Sequence, residues 1–261
     1  MKKSVLTPGR VPTMVFLSAL ALNSIASSVS WAQQELLVSA AASLANAFGE
    51  VGKQFEKANP GAKVIFNFAA SGALLQQIDK GAPVDVFASA DHKTMDQAGA
   101  KRLILAETRR DFVSNGLVLI APKDSKLSIE GVKDLAETRI ARIALGNPQT
   151  VPAGRYAQEV LARAGLWEAL NPKFIFAETV RQALDYVGRG EVDAGFVFAT
   201  DAASARDRVQ VAAVAEGHQP ILYPVAVVAA GKKQELSQRF IDFLLGSEGR
   251  GILSRYGFGK P

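Results

Sequence analysis

The feature that most constrains this chain is a strand–turn–helix plan written twice. KGAPVDVFASAD (80–91) closes one copy, and RGEVDAGFVFATD (189–201) closes a second about a hundred residues later. Working back from these endings, the apolar run Leu36–Ser39 and the helical pattern Leu44–Ala58 correspond to Ile140–Leu145 and Ala153–Ala164. Lys63–Phe68 with Gly72–Lys80 corresponds to Phe174–Phe176 with Val180–Arg189. Each second helix is followed by a basic residue, a glycine, Val-Asp and a strand, Val84–Ser89 in one half and Ala194–Phe198 in the other. Short apolar runs alternating with amphipathic helices predict an α/β fold with mainly parallel sheets. Gly81, Gly165 and Gly190 stand where helices should stop. Unrelated βαβ units also resemble one another, but the shared glycine and Val-Asp ending favours two matched halves.

One further strand, Leu117–Ala121, follows the first half; another, Pro224–Ala230, and a helix, Gln234–Leu245, follow the second. The economical arrangement returns the last segment to the first half. The expected organisation is then lobe 1 from 33–115 plus 222–261 and lobe 2 from 116–221. Two segments cross between them, and a cleft lies at the carboxyl ends of the strands, where small ligands bind.

Residues 1–32 stand apart. Lys2, Lys3 and Arg10 precede the apolar stretch Val15–Ile25, and Ser30-Trp31-Ala32 supplies the small residues of a cleavage site. That layout predicts a secretory signal peptide, since an uncleaved anchor would need roughly 20 apolar residues. Removing its three bases lowers the formal net charge from +5 to +2 and leaves 229 residues. No basic cluster remains to suggest nucleic acid. With no cysteine there is no disulfide, thiolate site or lipid-anchored cysteine. The expected location is the periplasm, as a soluble protein without a lipid anchor.

Four strand-to-helix turns should open on the cleft, with helix starts at Ser43, Ser71, Ala153 and Val180. A helix start offers unpaired N–H groups and about half a positive charge. Four together would bind an anion without lysine or arginine. Ser43 and Ser71 can add hydroxyl donors, and Gly72 would let a ligand approach the backbone. Taken singly, each serine reads more readily as an ordinary N-cap, and Ala153 and Val180 as plain first-turn residues; it is the four coming together that points to a ligand. Pro152 pre-sets the helix behind Ala153.

AAASLANAF, FAASGALLQQIDKGAPVDVFASAD, VPAGRYAQEVL, ETVRQAL, VDAGFVFATDA and YPVAVV together resemble the periplasmic molybdate-binding proteins of ABC importers, across nearly the whole mature chain. The resemblance implies the two-lobed periplasmic-binding-protein fold of type II. It implies a molybdate or tungstate oxyanion held at Ser43, Ser71, Ala153 and Val180, no cofactor, and delivery by a monomer to a membrane permease. It also implies a tyrosine hydroxyl at the strand end where this chain has Phe198. Tyr223 and Tyr156 are the candidates to replace that hydroxyl, Tyr156 standing on a helix where packing is the simpler role.

Donors alone suit an anion that only accepts. Phosphate near pH 7 still carries a proton and would need an acceptor. Glu178 is expected to face solvent, Asp201 to cap the next helix, and Arg155 and Arg181 to point along their helices to solvent. Sulfate, thiosulfate or another small anion is the alternative ligand. A serine hydrolase is remote: the two histidines, His92 and His218, read as solvated loop residues, and no G-x-S-x-G elbow is present. Two distant histidines also make a poor metal site.

Overall fold

A computed structural model describes residues 1–4, 9 and 34–261. The signal-peptide reading falls almost wholly outside the described residues. The chain runs through β1 (Gln34–Ala41), α1 (Ala45–Ala58), β2 (Ala62–Ala69), α2 (Ser71–Asp79), β3 (Val86–Ala88), α3 (His92–Ala100) and β4 (Arg110–Asn115). It continues through β5 (Leu117–Pro122), β6 (Ile143–Gly146), α4 (Pro152–Arg163), α5 (Trp167–Leu170), β7 (Phe174–Ala177), α6 (Val180–Gly188), β8 (Ala194–Phe198), α7 (Ala199–Ala203) and β9 (Val209–Val214). It closes with β10 (Ile221–Val227), α8 (Gln234–Leu245) and α9 (Ser247–Arg255).

Two five-stranded sheets form, ordered β2-β1-β3-β10-β4 and β7-β6-β8-β5-β9. In each, three strands pair in parallel, and a fourth, β10 or β5, runs against its neighbours. The two sheets therefore share one plan, with mainly parallel strands and flanking helices. Gly116 alone separates β4 in one sheet from β5 in the other, and residues 215–220 carry the return from β9 to β10. Pro224 sits inside the sheet, where it cannot donate to a ladder. A register shift between Tyr223 and Pro224 accommodates it.

The repeated Val-Asp has a structural cause. Asp85 accepts a hydrogen bond from the Leu37 N–H at 2.9 Å, and Asp193 from the Ala141 and Arg142 N–H groups at 2.7 and 2.9 Å. Each carboxylate thus ties the approach to β3 or β8 to its parallel neighbour, at mid-strand in β1 and just before β6. β6 begins at Ile143 rather than Ile140, and the N–H groups of Ala141 and Arg142 just before it go to the Asp193 side chain.

Elements with little apolar periodicity escaped the sequence reading. The edge strand β9 leaves Val211 and Val214 exposed, and only Phe112 and Val113 of β4 are buried. In α3 only Thr94, Met95 and Ala98 are buried. The main core joins both sheets. On the first, the rings of Phe48, Phe55 and Phe240 meet edge to face, locking α1 and α8 together.

Candidate functional site

β1 ends in three small residues, and the chain turns through a short 3-10 helix, Ala42–Leu44. Ser43 lies in that turn and is buried. Ser71 is the first residue of α2, behind Ala70 as N-cap, and is fully buried. Neither serine caps its helix, so the ordinary N-cap reading does not describe them. Ala153 follows Pro152 in the first turn of α4; Val180 opens α6, which Thr179 caps by accepting from the Gln182 N–H. First-turn N–H groups such as these have no partner within the helix.

The structure brings all four residues to one cavity. Ser43, Ser71, Ala153 and Val180 line it together with Phe198 and small residues such as Ala41, Ala90 and Val151. The space in it that a water-sized sphere can enter is about 10 Å³, and no charged side chain lines it. A single water needs roughly 10–15 Å³ of such space and pockets for organic ligands usually run from about 300 to 1,000 Å³, so this one suits a small ion rather than an organic molecule. Its walls are apolar except for two hydroxyls and the amides of four turns. Such a lining can offer donors to an anion and no base to a nucleophile.

Both hydroxyls are held. Ser71 Oγ accepts from the Ala90 N–H at 3.0 Å. Ser43 Oγ lies 3.0 Å from Tyr223 Oη, which in turn lies 3.2 Å from Asn115 Nδ2. Phe198 is buried against Tyr156 and Tyr223, ring centroids 6.3 and 5.7 Å away. Neither tyrosine lines the cavity: Tyr223 reaches only as far as Ser43, and Tyr156 packs between Phe198 and His218. Burial pushes both phenols up from their ordinary value.

Several expectations need correction. Arg155 does not reach solvent. Its Nε donates to Asp91 Oδ2 and its Nη2 to Thr94 Oγ1, each at 2.7 Å, and Nη1 meets the carbonyls of Pro148 and Gln149. The pair is almost fully buried and joins α4 of one sheet to the start of α3 on the other. Arg181 also turns inward, its Nη2 approaching the Ser43 carbonyl at 3.4 Å. Its Nε forms a close ion pair with Asp201 Oδ1 at 2.5 Å. Asp201 caps nothing; it lies inside α7, fully buried, and desolvation pushes its carboxyl up to about 6. Gly72 meets protein rather than ligand: its N–H donates to the Thr150 carbonyl at 2.9 Å, and a Cβ there would strike that backbone at 2.8 Å. His92 pairs with Asp111 at 2.7 Å, and His218 stands edge-on to Tyr156. Glu178 is exposed.

Asn115, Asp91 and Thr94 were missed. Asn115-Gly116 is a turn signal in sequence, and Asp91 an evident cap. Their partners, 108 and 64 residues away, left no trace in local pattern.

Two similar α/β sheets, crossed twice by the chain and meeting at a small neutral cavity, define a ligand-binding protein with the type II periplasmic-binding-protein fold. The chain belongs to the bacterial extracellular solute-binding protein family, whose pattern it matches over residues 36–259. It is 41% identical over 229 residues to the molybdate-binding protein ModA of Escherichia coli (strain K12), covering 86% of this chain and 88% of that one. The ModA of Haemophilus influenzae is 37% identical, with 87% and 91% covered. Among solved structures, the periplasmic molybdate-binding protein of Azotobacter vinelandii superimposes with a TM-score of 0.79 at 26% identity, over 87% of this chain and 99% of that one. Membership places the chain among solute carriers rather than enzymes.

Proposed function

We propose that this protein binds molybdate in the periplasm and delivers it to the membrane permease of an ABC importer. The observation that carries this reading is the small cavity on which Ser43, Ser71, Ala153 and Val180 converge with no charged side chain in its wall. A dianion there would be held by amide and hydroxyl donors alone. The name shared by the E. coli and H. influenzae relatives supports molybdate as that anion. Tungstate, equal in charge and shape, should bind as well.

In this reading the two sheets are the cores of two lobes, 33–115 plus 222–261 and 116–221, which close over the ion in a monomer. Residues 1–32 serve as the export signal. Among the described residues, no helix is long and apolar enough to cross a membrane, and no cluster of His, Asp or Glu could hold a bare metal ion.

Isothermal calorimetry on the mature chain with molybdate, tungstate, sulfate and phosphate tests the reading. Tight binding of the first two and weak or absent binding of the others is expected. Preference for sulfate would replace molybdate as the ligand, and binding of none would end the proposal.

A further inference from the structure

Ser43 Oγ and Tyr223 Oη are 3.0 Å apart, a distance at which either could donate. Asn115 decides which does. The Gly116 N–H can only donate, and it meets Asn115 Oδ1 at 2.9 Å, which fixes the orientation of the amide. Asn115 Nδ2 is therefore the donor to Tyr223 Oη at 3.2 Å and to Thr200 Oγ1 at 2.9 Å. Tyr223 is fully buried, so an unused hydroxyl proton would carry a desolvation cost. Its remaining partner is Ser43 Oγ, and the proton goes there. Burial keeps that phenol protonated.

Ser43 thus accepts from the protein, and its own proton is left for the cavity it lines. Ser71 is set the same way by the Ala90 N–H. The two hydroxyls reach the cavity as donors, each with one of its two acceptor lone pairs already taken by the protein.

We propose that Asn115 and Tyr223 are positioning residues that lock the Ser43 hydroxyl as a donor and so exclude oxyanions that carry a proton. The proposal rests on reading the cavity as an oxyanion site. Hydrogen phosphate must donate its proton to something, and a serine oxygen that already accepts one bond and aims its own proton at the ion is a poor acceptor for it. An ion with four bare oxygens meets no such conflict. Phe198 adds no acceptor either, so the missing hydroxyl at that position sharpens the exclusion.

Two variants probe the relay. Tyr223→Phe removes the donor to Ser43 and frees the lone pair it occupied. Asn115→Asp reverses the chain: a carboxylate can still accept from the Gly116 N–H but must also accept from Tyr223, which then accepts from Ser43 and turns that proton away from the cavity. The readout is the ratio of the phosphate to the molybdate dissociation constant, measured by competition calorimetry at pH 8. Both ions carry about two negative charges there, so a change in site charge largely cancels in the ratio. Tyr223→Phe should lower the ratio about tenfold, the weight of one hydrogen bond, and Asn115→Asp should lower it further. Equal weakening of both ions in both variants, with the wild-type ratio preserved, would make the relay merely structural and overturn the inference. Wild-type protein that binds no oxyanion would overturn the functional reading along with it. Wild-type binding with an unaltered ratio would overturn the relay alone.

Discussion

Ser43 and Ser71 are buried and each already has a protein partner, so their geometry does not depend on a ligand to organise it. Replacing either with alanine removes one hydroxyl donor and leaves the backbone turn intact. Ser43→Ala and Ser71→Ala should each weaken molybdate binding by about 1.5–3 kcal/mol, the worth of a hydrogen bond to a charged group. Unchanged calorimetric affinity in both would remove the serines from the site. Phe198 lines the same cavity. Phe198→Tyr would restore the donor that the family resemblance implies, and affinity should rise several-fold, about 1 kcal/mol. A fall in both affinity and melting temperature would mean the added oxygen is overpacked against Tyr156 and Tyr223 instead.

At the scale of elements, the starts of α4 and α6 each carry a donor residue and, one or two positions on, an arginine that reaches across to the other sheet. Arg155 is held on Asp91, which also caps α3 by accepting from the Thr94 N–H at 3.1 Å. Asp91→Asn keeps the capping oxygen and removes the charge. Leaving a buried partner uncompensated costs about 3–5 kcal/mol. The expected result is a faster release of molybdate, by about ten- to a hundredfold in stopped-flow measurements. Arg109→Ala, which breaks an exposed pair with Asp96, should change release by less than about 1 kcal/mol. Asp201 behaves differently. Desolvation is the largest cause of its raised pKa, partly offset by Arg181. A carboxyl raised from 3.8 to about 6 stabilises the fold fully below pH 3.8, and that contribution is lost as pH rises to about 6. Asp201→Asn should therefore be more stable than wild type at pH 7–8, by up to about 3 kcal/mol, and the advantage should vanish below about pH 4. Melting curves at both pH values check the sign.

At the scale of the whole molecule, the two sheets with their helices meet through the Gly72–Thr150 backbone bond, the Arg155–Asp91 pair and the small cavity. In the proposed two-lobe reading, Gly116 and residues 215–220 are the crossings about which the lobes would hinge as an ion enters. Small-angle scattering should show a smaller radius of gyration with molybdate than without it. Identical curves would mean that loading does not involve lobe motion. What the sequence settled by itself was local and repeated. Strand and helix periods, glycine stops and two copies of Val-Asp fixed the α/β class, and small residues at four turns marked the helix starts, because turn geometry depends on neighbours a few residues apart. β9 and α3 stayed hidden because an edge strand and a thinly buried helix need little apolar pattern. Local sequence could not show that Arg155 would turn inward, that Gly72 would receive a backbone rather than a ligand, or that Asn115 would aim the Ser43 proton. Each of those depends on a partner from the other end of the chain. Only the packing of two sheets against each other brings such groups within hydrogen-bonding distance and strips the water that would otherwise let them point elsewhere.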